Sequence, residues 1–205
     1  MISVAVATED LPSEQVAERL IRYIGGNVDL RLRREGFGYL KSKFPSFCEI
    51  ARQMPVLVLT DLDRAPCPHA LVQAWIGQIH MPPDLVFRVV VREIEAWLLA
   101  DREGFSQFLG ISPRLLPHDP ETLNDPKAEV LRLARRARAA VRRDLLPSNR
   151  STAPQGLGYS SRLSEFAQSM WDIERACESS DSLRRALTRL QEMALRTHDA
   201  TIRNR

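Results

Sequence analysis

Six carboxylates fall in three short segments of the first hundred residues. They are Glu9 with Asp10 beside it, Asp61 and Asp63 spaced i, i+2, and Glu93 and Glu95 with the same spacing. In an extended segment, residues i and i+2 point the same way, so Asp61 and Asp63 can aim at one point. Carboxylates gathered in one place form the hard, oxygen-rich site that Mg²⁺ or Mn²⁺ prefers. Such an ion activates water and stabilises the charge that develops on a phosphodiester. Without a cation, mutual repulsion raises the pKa values of the group. The plainer alternative is structural. Asp is common in turns and helix caps, which would account for Asp-x-Asp after a strand and for Glu9-Asp10 before a helix.

The chemistry requires elements that bring the three segments together, and the surrounding sequence supplies them. Ile2–Ala7 is a short β-branched run, and Pro12-Ser13 then offers a helix start. Val16, Leu20, Tyr23 and Ile24 recur on one helical face until Gly25-Gly26 stops it. Val28, Leu30 and Leu32 alternate with charged residues as in a half-buried strand, and Gly36-Phe37-Gly38 reads as a loop before a short helix over 47–53. Val56–Leu59 is a continuous apolar run, as in a strand buried on both faces. A helix over 70–79, a strand over 85–91 and a helix over 93–100 complete the series.

Alternating strands and helices specify an α/β fold with a mostly parallel four-stranded sheet flanked by helices. In such sheets ligands bind beyond the C-terminal ends of the strands, which is where the three acidic segments fall. The α/β part is assigned to 1–110. Residues 111–205 form a helical C-terminal half packed on it as one compact unit. There, Asp125-Pro126 starts a helix whose apolar stripe runs to about Leu146. A Pro-, Ser- and Gly-rich loop covers 147–158, helices cover 161–170 and 182–195, and 197–205 reads as a loose tail.

The residues around these motifs resemble a known domain. A Glu after the first strand, an Asp-x-Asp after a later buried strand and a small α/β unit resemble the Toprim domain. The run from Glu93 through Glu95-Ala96-Trp97-Leu98-Leu99-Ala100-Asp101, then Asn124-Asp125-Pro126-Lys127 and Ser182-Leu183-Arg184-Arg185, looks like a bacterial family of Toprim-like proteins of unknown function. That family resembles the Toprim part of the overcoming-lysogenisation-defect nucleases, and its members often neighbour genes for ABC- or SMC-like ATPases in phage-defence loci. The resemblance implies a Mg²⁺- or Mn²⁺-dependent nuclease, or a nuclease subunit in antiviral defence. Carried over from the resemblance, Glu9 would act as general acid or base and Asp61 and Asp63 would hold metal, and these three form the catalytic set. Glu9, Asp61 and Asp63 are the metal candidates together with Glu95, which is added for its place after the fourth strand and matches no Toprim ligand. Such families carry Glu-Gly after the first strand, whereas this chain has Glu9-Asp10. That departure favours an alternative, a non-catalytic partner or regulatory module of an ABC- or SMC-like ATPase. Trp97 and Leu98 read as core.

Arg132, Arg135, Arg136 and Arg143 recur at three- and four-residue spacings on the expected 126–146 helix, and Lys127 stands at its start. A basic stripe is what a binder of DNA or RNA needs, since phosphate neutralisation supplies most non-specific affinity. A solvated helix face is the plainer reading, and a surface cap is the plainer reading of Lys127. Cys67-Pro68-His69 lacks a second pair of soft ligands for zinc. No Walker A loop, Gly-x-Ser-x-Gly elbow or Gly-x-Gly-x-x-Gly occurs, so ATP would enter through a partner.

The 205 residues contain 26 Arg against 3 Lys, yet the net charge is only +3. A polybasic tail protein is thereby excluded. No stretch approaches the roughly 18 apolar residues of a membrane span. With no basic n-region at the start and three scattered cysteines, the chain reads as cytoplasmic.

Overall fold

The computed structural model describes residues 1–33, 38–149 and 151–203. Among these residues, four strands form one all-parallel sheet in the order β2-β1-β3-β4: β1 (Ile2–Ala7), β2 (Gly26–Arg31), β3 (Val56–Asp61) and β4 (Leu85–Val90). The α/β fold with a helical second half is therefore as expected. Alternation along β3 divides two cores. Leu57 and Leu59 face one, Val56 and Val58 the other, so the strand is apolar throughout.

One face is covered by α2 (Tyr39–Ile50) and α3 (Pro68–Ile76). Phe44 and Phe47 of α2 pack there on Phe87 and Val89. The opposite face carries α1 (Leu11–Tyr23), α4 (Ile94–Ala100) and the helical half. After α5 (Arg102–Leu109), that half comprises α6 (Pro126–Ala134), α7 (Ala139–Leu145), α8 (Tyr159–Ser169), α9 (Ile173–Ser179) and α10 (Asp181–Arg203). Leu163, Phe166, Leu183 and Leu190 share a single buried cluster with Val4, Val6 and Leu57.

Several expectations change for physical reasons. In β2 the alternation fails at Leu30, which is 39% exposed. The register passes from Val4 opposite Val28 to Ala5 opposite Leu30, so Asp29 is an extra residue that turns Leu30 outward. Helix α2 starts eight residues before the expected Phe47 and accommodates Pro45, whose helix-breaking tendency conceals it in the sequence. The loop placed at Gly36-Phe37-Gly38 lies, apart from Gly38, outside the described residues.

The single helix expected over 126–146 is two helices. Arg138 is drawn out of helical geometry, and its N–H donates to Leu109 O at 3.0 Å. Its guanidinium donates to Gln107 O at 2.7 Å and Phe108 O at 2.9 Å, which satisfies the orphan carbonyls ending α5. Val130, Ala134, Ala137, Val141 and Leu145 stay buried across the break, so the apolar stripe alone does not show it. The expected loose tail is instead the continuation of α10 to Arg203, tied by Arg196 donating to Pro83 O at 2.8 Å. Among the described residues, no helix is long and apolar enough to cross a membrane.

Candidate functional site

Because β1, β3 and β4 run parallel, their C-terminal ends open on one side, and a cleft of about 930 Å³ lies there. Glu9, Asp61, Asp63 and Glu93 line it, joined by Asp125 from the start of α6. The three acidic segments found in the sequence therefore meet at one place. Asp10 does structural work at its edge, since its carboxylate caps α1 by accepting from Ser13 N–H at 2.9 Å.

The surroundings disfavour negative charge. Asp61 is pushed well above the ordinary carboxylate range, chiefly by burial and then by the charges of Glu95, Asp10, Glu9 and Asp63. Glu9 is raised by burial, opposed by the Thr60 hydroxyl that donates to its Oε1, with Asp63 and Asp10 adding to the rise. Glu93 is raised by burial and opposed by the Lys127 N–H, which donates to its Oε2 at 3.0 Å. The rise expected of crowded carboxylates is thus present, but desolvation is its leading cause.

Glu95 is placed differently from the rest. It is 6% exposed, in the first turn of α4, and is absent from the residues lining the cleft. Tyr159 Oη donates to its Oε1 at 2.9 Å, and burial drives its pKa to about 7. Tyr159 is itself raised, by burial and by the Glu95 charge, so it stays a donor. Asp63 also departs from expectation. Its φ of 49° puts it in the left-handed region, so the extended alternation that would align it with Asp61 ends at Leu62. Its backbone is held by Arg92, which accepts Asp63 N–H at 2.9 Å and donates from Nη1 to Asp63 O at 3.2 Å.

The α6 N-terminus is not an open anion seat. Pro126 has no N–H, Lys127 N–H is taken by Glu93, and Ala128 N–H by Asp125 at 2.7 Å. Lys127 Nζ lies 5.3 Å from the Tyr159 ring centroid. The break after Ala134 also means that the basic residues lie on two helices and a turn, not one stripe. Arg132 pairs with Glu129 at 2.6 Å and donates to Leu115 O, and Arg143 contacts Asp144 at 3.4 Å. Arg135 and Arg136 are exposed.

Sequence reasoning passed over the cations that do reach the cleft: Lys41, Arg64 and Arg92. They come from three segments, so no spacing links them. It also passed over an apolar wall made by Leu71, Ala74 and Trp75 of α3. Conversely, the segment Glu95–Asp101 is structural over most of its length. Trp97 is fully buried and donates to Ser182 Oγ at 2.7 Å. Asp101, also fully buried, accepts from Gly104 N–H, Asp172 N–H and the Arg175 guanidinium. Cys67 caps α3 by accepting from Ala70 N–H at 3.4 Å.

Among the described residues, no three His, Cys, Asp or Glu side chains stand close enough to cage a metal. Glu93 and Glu95 are occupied by protein donors. Glu9 accepts from the Thr60 hydroxyl, and of the four metal candidates Asp61 and Asp63 line the cleft without such a donor, although strand alternation does not align them. Mg²⁺ needs only one or two carboxylates plus waters and substrate phosphates rather than a full protein cage. Compared with known proteins, the chain matches no family model, no curated protein and no solved structure.

Proposed function

We propose that this chain hydrolyses phosphodiester bonds of nucleic acid in the cleft beyond β1, β3 and β4. The supporting observation is Asp61: a carboxyl that burial and four neighbouring acids hold far from its ordinary range, at the strand end where an α/β sheet binds ligands. The Toprim resemblance points the same way. Asp61 and Asp63 would hold Mg²⁺ or Mn²⁺, which when bound supplies an activated water and charge stabilisation on the phosphoryl oxygens. Glu9, oriented by Thr60, would exchange a proton with the attacking or leaving oxygen, and its raised pKa suits that role. Lys41, Arg64 and Arg92 would hold the flanking phosphates.

The engagement of Glu93 and Glu95 by Lys127 and Tyr159 favours the second reading, a non-catalytic module of an ABC- or SMC-like ATPase. One experiment separates the two. Supercoiled plasmid, single-stranded DNA and RNA are incubated with Mg²⁺ or Mn²⁺ and the wild-type, Glu9→Gln and Asp61→Asn proteins. The hydrolytic reading requires cleavage that falls by about 10²–10⁴-fold in Glu9→Gln and at least as far in Asp61→Asn. Equal rates in wild type and Asp61→Asn refute it.

A further inference from the structure

The cleft has two walls of opposite character, and only the acidic one is used by hydrolysis. The other is α3, whose sequence Pro68-His69-Ala70-Leu71-Val72-Gln73-Ala74-Trp75-Ile76 is mostly apolar, yet none of its residues is fully buried. A helix this apolar is ordinarily buried. Trp75 is fixed in place from the protein side. Its ring stacks on Phe87 (centroids 5.1 Å apart, planes at 27°) and stands edge-on to Phe44 (6.2 Å, 78°). It remains partly exposed and lines the cleft with Leu71 and Ala74, alongside Lys41 and Arg64. A rigid aromatic and aliphatic surface, cations and a carboxylate cluster thus share one cavity.

We propose that the Leu71–Trp75 wall seats an unpaired nucleobase, so that the substrate is single-stranded nucleic acid or a frayed end. This rests on the reading of the cleft as a phosphodiester site. Every base offers a π-face to an aromatic ring, so such a wall is tolerant of sequence. In a duplex both faces of each base are covered by its neighbours, and presenting one here costs unstacking and unpairing. A cleft of about 930 Å³ has room for a base together with its flanking phosphates. Lys41 and Arg64 line the same cleft and would supply countercharge to those phosphates, while Arg92 Nη1 is held by Asp63 O and Ala65 O.

Tryptophan fluorescence provides the test, because Trp97 and Trp171 are 0% and 1% exposed and only Trp75 can report on the cleft. The full chain in Ca²⁺ buffer is titrated with an oligothymidylate strand, the matching oligouridylate, the strand annealed into a duplex, and an abasic strand of equal length. Both base-bearing strands should quench the signal saturably. The duplex and the abasic strand should bind at least about tenfold more weakly, which is about 1.4 kcal/mol. Trp75→Phe should abolish the quench while a labelled strand still binds, and Trp75→Ala should weaken binding about tenfold. Equal affinity for strand and duplex, or for strand and abasic strand, overturns the proposal. So does binding of the labelled strand without any quench, or no binding at all. Quenching without cleavage in Mg²⁺ keeps the base seat and rejects hydrolysis, so the two readings fail separately.

Discussion

Glu95 makes a quantitative prediction about stability. Its carboxyl is 6% exposed and titrates at about 7 in the folded chain, against 4.5 for the ordinary side chain, chiefly because burial disfavours its charge. Between those two values the folded state holds a proton that the unfolded state has released. The contribution of this group to stability is therefore greatest below about pH 4.5, falls as pH rises, and levels off above about 7. At about 1.4 kcal/mol per pKa unit, the full loss from this group is on the order of 3 kcal/mol. Asp61, raised for the same leading reason, changes stability in the same direction. Glu95→Gln removes the charge and keeps an oxygen to accept from Tyr159 Oη. In metal-free buffer, urea denaturation at pH 5, 6, 7 and 8 should show wild type losing stability while Glu95→Gln loses about 2.5 kcal/mol less across the range. The variant should be the more stable protein at pH 8. Parallel profiles for the two proteins would refute the assignment of this burial cost to Glu95.

Two further predictions concern other parts of the chain. Asp101→Ala strips the acceptor from Gly104 N–H, Asp172 N–H and the Arg175 guanidinium, and should cost about 3–5 kcal/mol, read as a fall in Tm of roughly 10 °C or more in calorimetry. Arg135 and Arg136 are exposed, whereas Arg132 and Arg143 already meet Glu129 and Asp144. In strand-binding titrations across salt concentrations, Arg135→Ala with Arg136→Ala should lower the log–log slope by at most about 2, and Arg132→Ala or Arg143→Ala should leave it unchanged.

How much of this was legible from residues follows from the range of the interactions involved. The strands were legible because β-branched runs such as Val56–Leu59 are local signals, and their parallel arrangement followed from the helices between them. The convergence of Glu9, Asp61, Asp63 and Glu93 followed in turn, since a parallel sheet puts such ends on one side. What stayed hidden depends on contacts distant in sequence. Arg138 leaves its helix for the carbonyls of Gln107 and Phe108, about thirty residues away. Glu95 is removed from the cleft lining and hydrogen-bonded by Tyr159, 64 residues on. Lys41, Arg64 and Arg92 carry no shared pattern, and Trp75 looks like ordinary core until α3 is seen to be incompletely covered.

The near-neutral total charge now has a spatial meaning. Carboxylates are concentrated at the β-strand ends, where burial raises Glu9, Asp61, Glu93 and Glu95 together. Several arginines neutralise acids or cap helices elsewhere: Arg138 caps α5, Arg175 holds Asp101, and Arg162 holds Asp144 at 2.8 Å. The fold thus satisfies its structural acids with arginine and leaves the cleft acids under-neutralised. Acids whose charged form burial disfavours are suited to a ligand that brings positive charge. A divalent cation carried in with phosphate would restore the ionised form and recover the desolvation cost at the moment of binding. Stability at pH 8 should therefore rise with added Mn²⁺ in wild type and rise much less in Asp61→Asn.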